Sequence, residues 1–305
     1  MADIELNILG CGSALPTTHH LPSSQVLRVR NKLFMIDCGE GAQLQFRRQK
    51  LRFTQLQHIF ISHLHGDHCF GLPGLISTLD LIGQTREMVI HAHADAEKTL
   101  KPMLDYFCRE QPFKLRFNAI VPGECIYEDR TLTVKTLPLK HRVPTCGFLF
   151  EEKEKQRHLI GEMVAFYNIP VKQIPDIKAG ADFITPDGEV IPNNRLTREA
   201  DKPVRYAYCS DTLYHEKLIP YIEGVDLLYH ESTFTEGLAE RARETFHSTA
   251  LQAAKIAQKA QVKQLLLGHY SARYTDDRVF LQEARTVFPH TLLANEGMVL
   301  PITGK

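Results

Sequence analysis

Three histidines and an aspartate fall within six residues in His63-Leu64-His65-Gly66-Asp67-His68. Neutral imidazole and carboxylate are preferred ligands of zinc and similar divalent ions. Four such groups cannot all face an apolar core without unmet polar atoms, so the spacing H-x-H-x-D-H points to metal binding on one tight loop. Gly66 is expected where the backbone must turn sharply. A lone histidine beside a strand would carry no such message, since it is usually a satisfied core or surface residue. A single zinc would be filled by four ligands and left with no open position. If the loop divides between two ions, each stays incomplete until distant residues join. The rest of the chain should then supply further His or Asp side chains, each at a strand end.

The elements that must position these groups follow from periodicity. His58-Ile59-Phe60-Ile61 is apolar, aromatic and β-branched, a short buried strand running into the histidine loop. Strands are predicted over 4–9, Ser24–Arg30, Leu33–Asp37, Met88–His93, Leu132–Leu139, Cys146–Glu151, Val204–Cys209, Asp226–Tyr229, Gln264–Leu267, Thr291–Ala294 and Val299–Ile302. Helical spacing covers 42–50, 71–82, 95–108, 248–260 and 276–287. For the helix at 248–260, Ser248 or Thr249 is the expected N-cap. Four polar residues stand just past strands or turns: His141, Asp211, His230 and His269. A dinuclear arrangement uses most of them. His63, His65 and His141 would hold one ion, and Asp67, His68 and His269 the other. Asp211 would bridge them, one carboxylate oxygen to each. Two ions roughly 3.5–4 Å apart can clamp both oxygens of a phosphoryl displacement.

Lys plus Arg equals Asp plus Glu at 36 each in 305 residues. With no global basic field, a nucleic-acid partner would be held by local patches. The start of the chain lacks the basic and apolar regions of a signal peptide, and no apolar run nears the roughly 18 residues that span a bilayer. Seven scattered cysteines without a C-x-x-C pair suit reduced thiols and a cytoplasmic location. From 151 to 195 the β pattern is interrupted by the charge run Glu151–Arg157, a helix-like stretch at 158–168 and several prolines and glycines. Phe166, Tyr167, Ile174 and Ile177 favour an arm that packs on something over a disordered loop.

The H-x-H-x-D-H loop with His141, Asp211 and His269 resembles the metallo-β-lactamase superfamily. Within it the chain resembles the ribonuclease Z family, on Gly10-Cys11-Gly12-Ser13 with Pro16-Thr17, Asp37-Cys38-Gly39-Glu40-Gly41, His230-Glu231-Ser232-Thr233, His247-Ser248-Thr249 and Gly268-His269-Tyr270-Ser271-Ala272-Arg273-Tyr274. The resemblance implies an α/β, αββα sandwich in which two mixed β-sheets are flanked by helices. It implies one such domain over 1–305, with 152–194 inserted as an exosite arm that grips precursor tRNA, and a homodimer. It also implies two zinc ions per subunit, with manganese or iron accepted by the same ligands. The activity implied is removal of the 3′ trailer from precursor tRNA. Asp67 would handle the attacking water, and His247, oriented by Glu231, would protonate the leaving oxygen. His230 would orient from behind the ligands. Ser271, Arg273, Lys153, Lys155 and Lys178 would meet the RNA, with Arg157, Lys172, Arg47, Arg48, Lys50 and Arg52 as further basic groups. The glycine- and proline-rich run common in that arm is missing here, replaced by Ile174–Gly180. Two other readings remain: a small-molecule phosphodiesterase or related hydrolase on the same fold, and a non-catalytic RNA-binding protein.

Overall fold

Leu33-Phe34-Met35-Ile36 shows why the main body is layered. In a strand, neighbours point to opposite faces. Phe34 and Ile36 enter one apolar cluster, and Leu33 and Met35 another. A strand buried on both faces reads as a continuous apolar run, and such a sheet must be covered on both sides.

The computed structural model describes residues 4–108 and 113–304. In chain order the first elements are β1 (Ile4–Gly10), β2 (Ser24–Val29), β3 (Lys32–Cys38), α1 (Ala42–Arg48), β4 (Leu56–Phe60), α2 (Gly66–Cys69), α3 (Leu72–Leu81), β5 (Met88–Ala92) and α4 (Asp95–Phe107). Four strands follow: β6 (Leu115–Ala119), β7 (Cys125–Glu128), β8 (Leu132–Pro138) and β9 (Cys146–Glu152). An inserted stretch holds β10 (His158–Leu159), α5 (Gly161–Phe166), α6 (Ile174–Lys178), β11 (Phe183–Ile184), β12 (Val190–Ile191), α7 (Asn193–Leu196) and β13 (Thr197–Arg198). The rhythm then resumes with β14 (Arg205–Cys209), α8 (Ile219–Ile222), β15 (Leu227–Glu231), α9 (Ala239–Thr245), α10 (Ala250–Lys259), β16 (Leu265–Gly268), α11 (Arg278–Arg285), β17 (Thr291–Leu293) and β18 (Val299–Ile302).

Two seven-stranded sheets form, in the orders β18-β1-β2-β3-β4-β5-β6 and β17-β16-β15-β14-β9-β8-β7. Both are mixed. In the first, β3 to β6 pair in parallel and β18, β1, β2 and β3 antiparallel. In the second, β14 to β17 run parallel while β14 pairs antiparallel with β9. Phe34 and Phe60 of the first sheet meet Phe150 of the second, with ring centroids 6.2 and 5.5 Å apart, and Phe148 joins at 5.5 Å. Helices α1, α3 and α4 cover the outer face of the first sheet through Phe46, Leu72, Leu75, Ile76, Leu79 and Leu100. Helix α10 covers the second, burying Ala250, Ala253, Ala254, Ile256 and Ala257 along one stripe. This is the αββα sandwich.

Two compact units are present: residues up to Glu151 with Val204–Thr303, and Glu152–Pro203 with Gly304. The smaller unit has its own core of Ile169, Ile177, Phe183, Ile191 and Leu196. It runs from Glu152 to Pro203, against the 152–194 expected for the insertion. The helix expected over 158–168 is instead β10, paired with β13, and then the short α5. A backbone hydrogen bond from Ile160 N–H to the Leu196 carbonyl holds the chain extended there.

Candidate metal centre

Most of the cluster's residues sit at the ends of the central strands of the two sheets. Asp37 closes β3, His63 follows β4, Asp211 follows β14 and His269 follows β16. Asp37, Asp211 and His269 are left-handed, with φ of 54°, 48° and 62°. Such conformations cost on the order of 1–3 kcal/mol each and persist where the surroundings over-determine them. His65 caps α2, whose first turn carries Asp67 and whose last carries His68. Gly66 does not make a left-handed turn; it opens α2. The space it saves is filled by Phe70, whose ring would come within 2.3 Å of a Cβ there.

The seven side chains expected at the metals converge. His63, His65, His141 and Asp211 bring one ligand atom each within 4.8 Å of the others, and so do Asp67, His68 and His269. Asp211 faces both groups. Its Oδ1 lies 3.1 Å from His68 Nε2 and 3.0 Å from His269 Nε2. Its Oδ2 lies 3.5 Å from His63 Nε2 and 3.6 Å from His141 Nε2. Asp67 Oδ2 stands 3.4 Å from His68 Nε2 and 3.5 Å from His269 Nε2. His65 points Nδ1 inward, 3.0 Å from His63 Nε2 and 3.3 Å from His141 Nε2.

The groups behind the ligands set which nitrogen faces in. His68 Nδ1 donates to Asp37 Oδ2 at 2.7 Å, and His141 Nδ1 to the Phe246 carbonyl at 2.9 Å. Ser62 Oγ donates to Asp37 at 2.9 Å, so it can accept from His63 Nδ1 at 3.0 Å. Thr233 Oγ1 donates to Glu231 at 2.6 Å and accepts from His269 Nδ1 at 2.9 Å. In all four rings Nδ1 is engaged from behind, which leaves Nε2 as the nitrogen turned toward the centre. The Nε2 atoms of His68 and His269 are buried with no hydrogen-bond partner. Buried donors and acceptors rarely stay unpaired. Inward-facing imidazole nitrogens around two carboxylates fit divalent cations.

Charge follows the same division. Burial holds His63 neutral, its pKa well below the usual value, and lowers those of His65 and His141. Burial also opposes charge on His68 and His269, but Asp67 and Asp211 outweigh it. His68 is raised well above its ordinary value and His269 to about 10. Burial works against ionising Asp67 and Asp211, yet the surrounding histidines hold both below the usual carboxylate range. The pocket demands positive charge, which protons supply until cations replace them.

Glu231 is fully buried and accepts from His247 Nδ1 at 2.9 Å and from the Thr212 N–H at 2.8 Å. Burial opposes a charge on His247, but Glu231 raises its pKa. The ring centroid of His247 is 5.4 Å from that of His269. His230 and Glu231, expected just past their strand, are the last residues of β15, which Glu231 extends by pairing with Gly268. His230 Nδ1 donates to the Glu231 carbonyl at 2.8 Å, which tethers the strand end rather than a ligand ring.

A cleft of about 200 Å³ opens on the cluster, with Asp67, Asp211, His247 and His269 on its wall beside Ser271 and Arg273. Arg142 and Arg241 line it too. Neither arginine is marked by any motif. Asp37 ends a strand in the same manner as the ligands, which is the signal that could have given it a role. Lys153, Lys155 and Lys178 belong to the inserted unit, where Lys155 pairs with Glu152 at 2.9 Å.

Two solved structures share this architecture. The metallo-beta-lactamase fold protein YhfI from Bacillus subtilis aligns with a TM-score of 0.68 at 20% identity, covering 97% of this chain and 98% of its own. The human tRNase Z, short form (ELAC1), aligns at 0.71 and 23% identity, covering 98% and 99%. The fold is therefore that of the metallo-β-lactamases. Residues 4–156 match the family described as Anti-Pycsar protein Apyc1, which the chain shares over that half of its length. A ribonuclease Z from Parabacteroides distasonis is 60% identical over 304 residues, covering 99% of this chain and 100% of the relative. The chain belongs to the ribonuclease Z family.

Proposed function

We propose that this protein is an endoribonuclease that hydrolyses the phosphodiester joining the 3′ trailer to precursor tRNA. The products are a 3′-hydroxyl on the tRNA and a 5′-phosphate on the trailer. The reading is carried by Asp211, whose two oxygens face two separate sets of ligands beside an open cleft. Family membership supplies the substrate. His63, His65, His141 and Asp211 would hold one divalent cation, and Asp67, His68, His269 and Asp211 another, with zinc favoured by the donor set.

When bound, such cations supply Lewis acidity, which brings the ionisation of water near neutrality and spreads the charge that develops on the phosphate. Asp67 turns one oxygen toward His68 and His269, and as an ionised carboxylate it orients the attacking water and accepts its proton. Arg142, Arg241 and Arg273 offer charge-assisted donors to the phosphodiester oxygens. Glu231 favours the protonated form of His247, which, with Nδ1 engaged, would present Nε2–H to the departing ribose 3′-oxygen. Ser271 borders the same cleft as a polar contact for the RNA backbone.

The inserted unit, with Lys153, Lys155 and Lys178, would serve as the arm that grips tRNA, and the working form would be a homodimer. All seven cysteines are unpaired, which supports a reducing cytoplasmic setting. Among the described residues no helix is long and apolar enough to cross a membrane. The test is incubation of the purified, zinc-loaded protein with a 3′-extended precursor tRNA, followed by end-group analysis. One cut leaving a 3′-hydroxyl, abolished by chelator and restored by zinc, is the expected result. An intact precursor, or a 3′-phosphate product, would overturn the reading.

A further inference from the structure

Away from the histidine cluster, three separated segments bring together another set of metal-type donors. Cys11 follows β1, His20 lies on the loop to β2, and Glu296 lies between β17 and β18. Cys11 Sγ is 3.4 Å from His20 Nδ1 and 3.6 Å from Glu296 Oε1, and His20 Nδ1 is 2.9 Å from Glu296 Oε2. Zinc bonds of about 2.3 Å to sulfur and 2.0–2.2 Å to nitrogen and oxygen, at tetrahedral angles, place such atoms roughly 3.6 Å (S–N), 3.4 Å (N–O) and 3.6 Å (S–O) apart. The S–N edge and the edge from sulfur to Oε1 already have nearly this length. The N–O contact belongs to the other carboxylate oxygen, so Glu296 would turn its carboxylate to present one oxygen to the ion, and the N–O edge would open by about 0.5 Å.

The surroundings are built to hold these donors. His20 Nε2 makes a 2.7 Å bond to Asp277 Oδ2 on the far side of the ring, the carboxylate–imidazole pairing that fixes a ligating histidine. Glu296 Oε1 accepts from the Leu21 N–H at 2.9 Å and the Cys11 N–H at 3.3 Å. Cys11 is fully buried. His20 and Asp277 border a cavity of about 670 Å³.

We propose that Cys11, His20 and Glu296 form a thiolate–imidazole–carboxylate site for a zinc-type divalent cation, separate from the histidine cluster, with Asp277 orienting His20. The charges balance, since one thiolate and one carboxylate neutralise the dication. Uptake releases the thiol proton of Cys11 and the Nδ1 proton of His20, while the Nε2 proton stays on the bond to Asp277. Without metal the same residues form an imidazolium held between two carboxylates, so the two states differ in measurable ways. The bound ion would clasp the 11–20 loop to the C-terminal segment. That loop exchanges backbone hydrogen bonds with Tyr270, the residue after ligand His269: Ser13 N–H to the Tyr270 carbonyl at 3.0 Å and Tyr270 N–H to the Cys11 carbonyl at 3.1 Å.

The two centres can be told apart spectroscopically, because the histidine cluster contains no sulfur ligand. Metal-free full-length protein is titrated with cobalt(II) alone. A near-ultraviolet thiolate-to-cobalt charge-transfer band whose full amplitude corresponds to one thiolate-bound cobalt per chain is expected in the wild type. It should vanish in Cys11→Ser and survive in His63→Ala. Glu296→Gln keeps the thiol and should weaken cobalt binding at this band at least tenfold. Zinc content of Cys11→Ser should fall by one equivalent per chain. A wild type without the band, a band that persists in Cys11→Ser, or unchanged affinity in Glu296→Gln would each overturn the site.

Discussion

Asp37 stands behind the proposed ligands, yet it decides how one of them is presented. Its carboxylate accepts from His68 Nδ1, Ser62 N–H, Ser62 Oγ and Tyr208 OH at 2.6–2.9 Å. Asp37→Asn weakens the partner of His68 without changing its volume. A loss of about 10–100-fold in zinc affinity is expected, read by competition with a chelator. The protons held on His68 and His269 set a second outcome. Metal can bind only once they leave, and the His269 pKa of about 10 lies above neutrality. Zinc affinity should therefore rise with pH across the neutral range, with proton release on binding, measured by calorimetry in buffers of different ionisation enthalpy. A third outcome concerns Glu231, whose charge raises the pKa of His247. Removing that charge in Glu231→Gln lowers it. Cleavage that needs protonated His247 should then fail at lower pH than in the wild type, and the alkaline limb of the kcat profile should move down.

At the scale of elements, strand ends and helix starts carry the site, and local sequence rules explain most of them. Thr249 proves to be the cap of α10: its Oγ1 accepts from the Gln252 N–H at 3.1 Å, while Gln252 Oε1 accepts from the Thr249 N–H at 3.0 Å. This capping box begins two residues after His247. Thr249→Ala is expected to cost about 1 kcal/mol, seen as a lower urea midpoint at unchanged slope. Close approach matters as much as capping. A Cβ on Gly71 would meet the Gly39 carbonyl oxygen at 2.1 Å, so only glycine lets α3 start against the loop beyond Asp37. Where the expectations failed, pairing outweighed pattern. The apolar spacing of 158–168 is helical, but its start is held in a strand by β13. Gly66 signals a turn by type, but its neighbours place it in a helix.

For the whole molecule, the inserted unit leaves and re-enters at one spot. In the main body β9 and β14 are antiparallel neighbours with Glu151 opposite Arg205, so a short turn can join them. Replacing 152–203 by a two-residue hairpin turn should leave hydrolysis of a small chromogenic phosphodiester within about twofold of wild type. The Michaelis constant for precursor tRNA should rise at least tenfold, with a shallower dependence on salt, if the arm carries phosphate contacts. Equal loss on both substrates would assign the unit to folding instead.

The sequence by itself determined the candidate ligand types, their placement near strand ends and the alternation of strands with helices, because spacing and periodicity are properties of a few adjacent residues; the αββα layering was only what the family resemblance implied. It also isolated the segment after Glu151 as foreign to the β pattern. Only the tertiary structure decided that Asp37 backs His68, that Arg142 and Arg241 border the cleft, and that Cys11, His20 and Glu296 meet. Each of those facts joins residues far apart in the chain, through strand order and loop paths that no local pattern encodes.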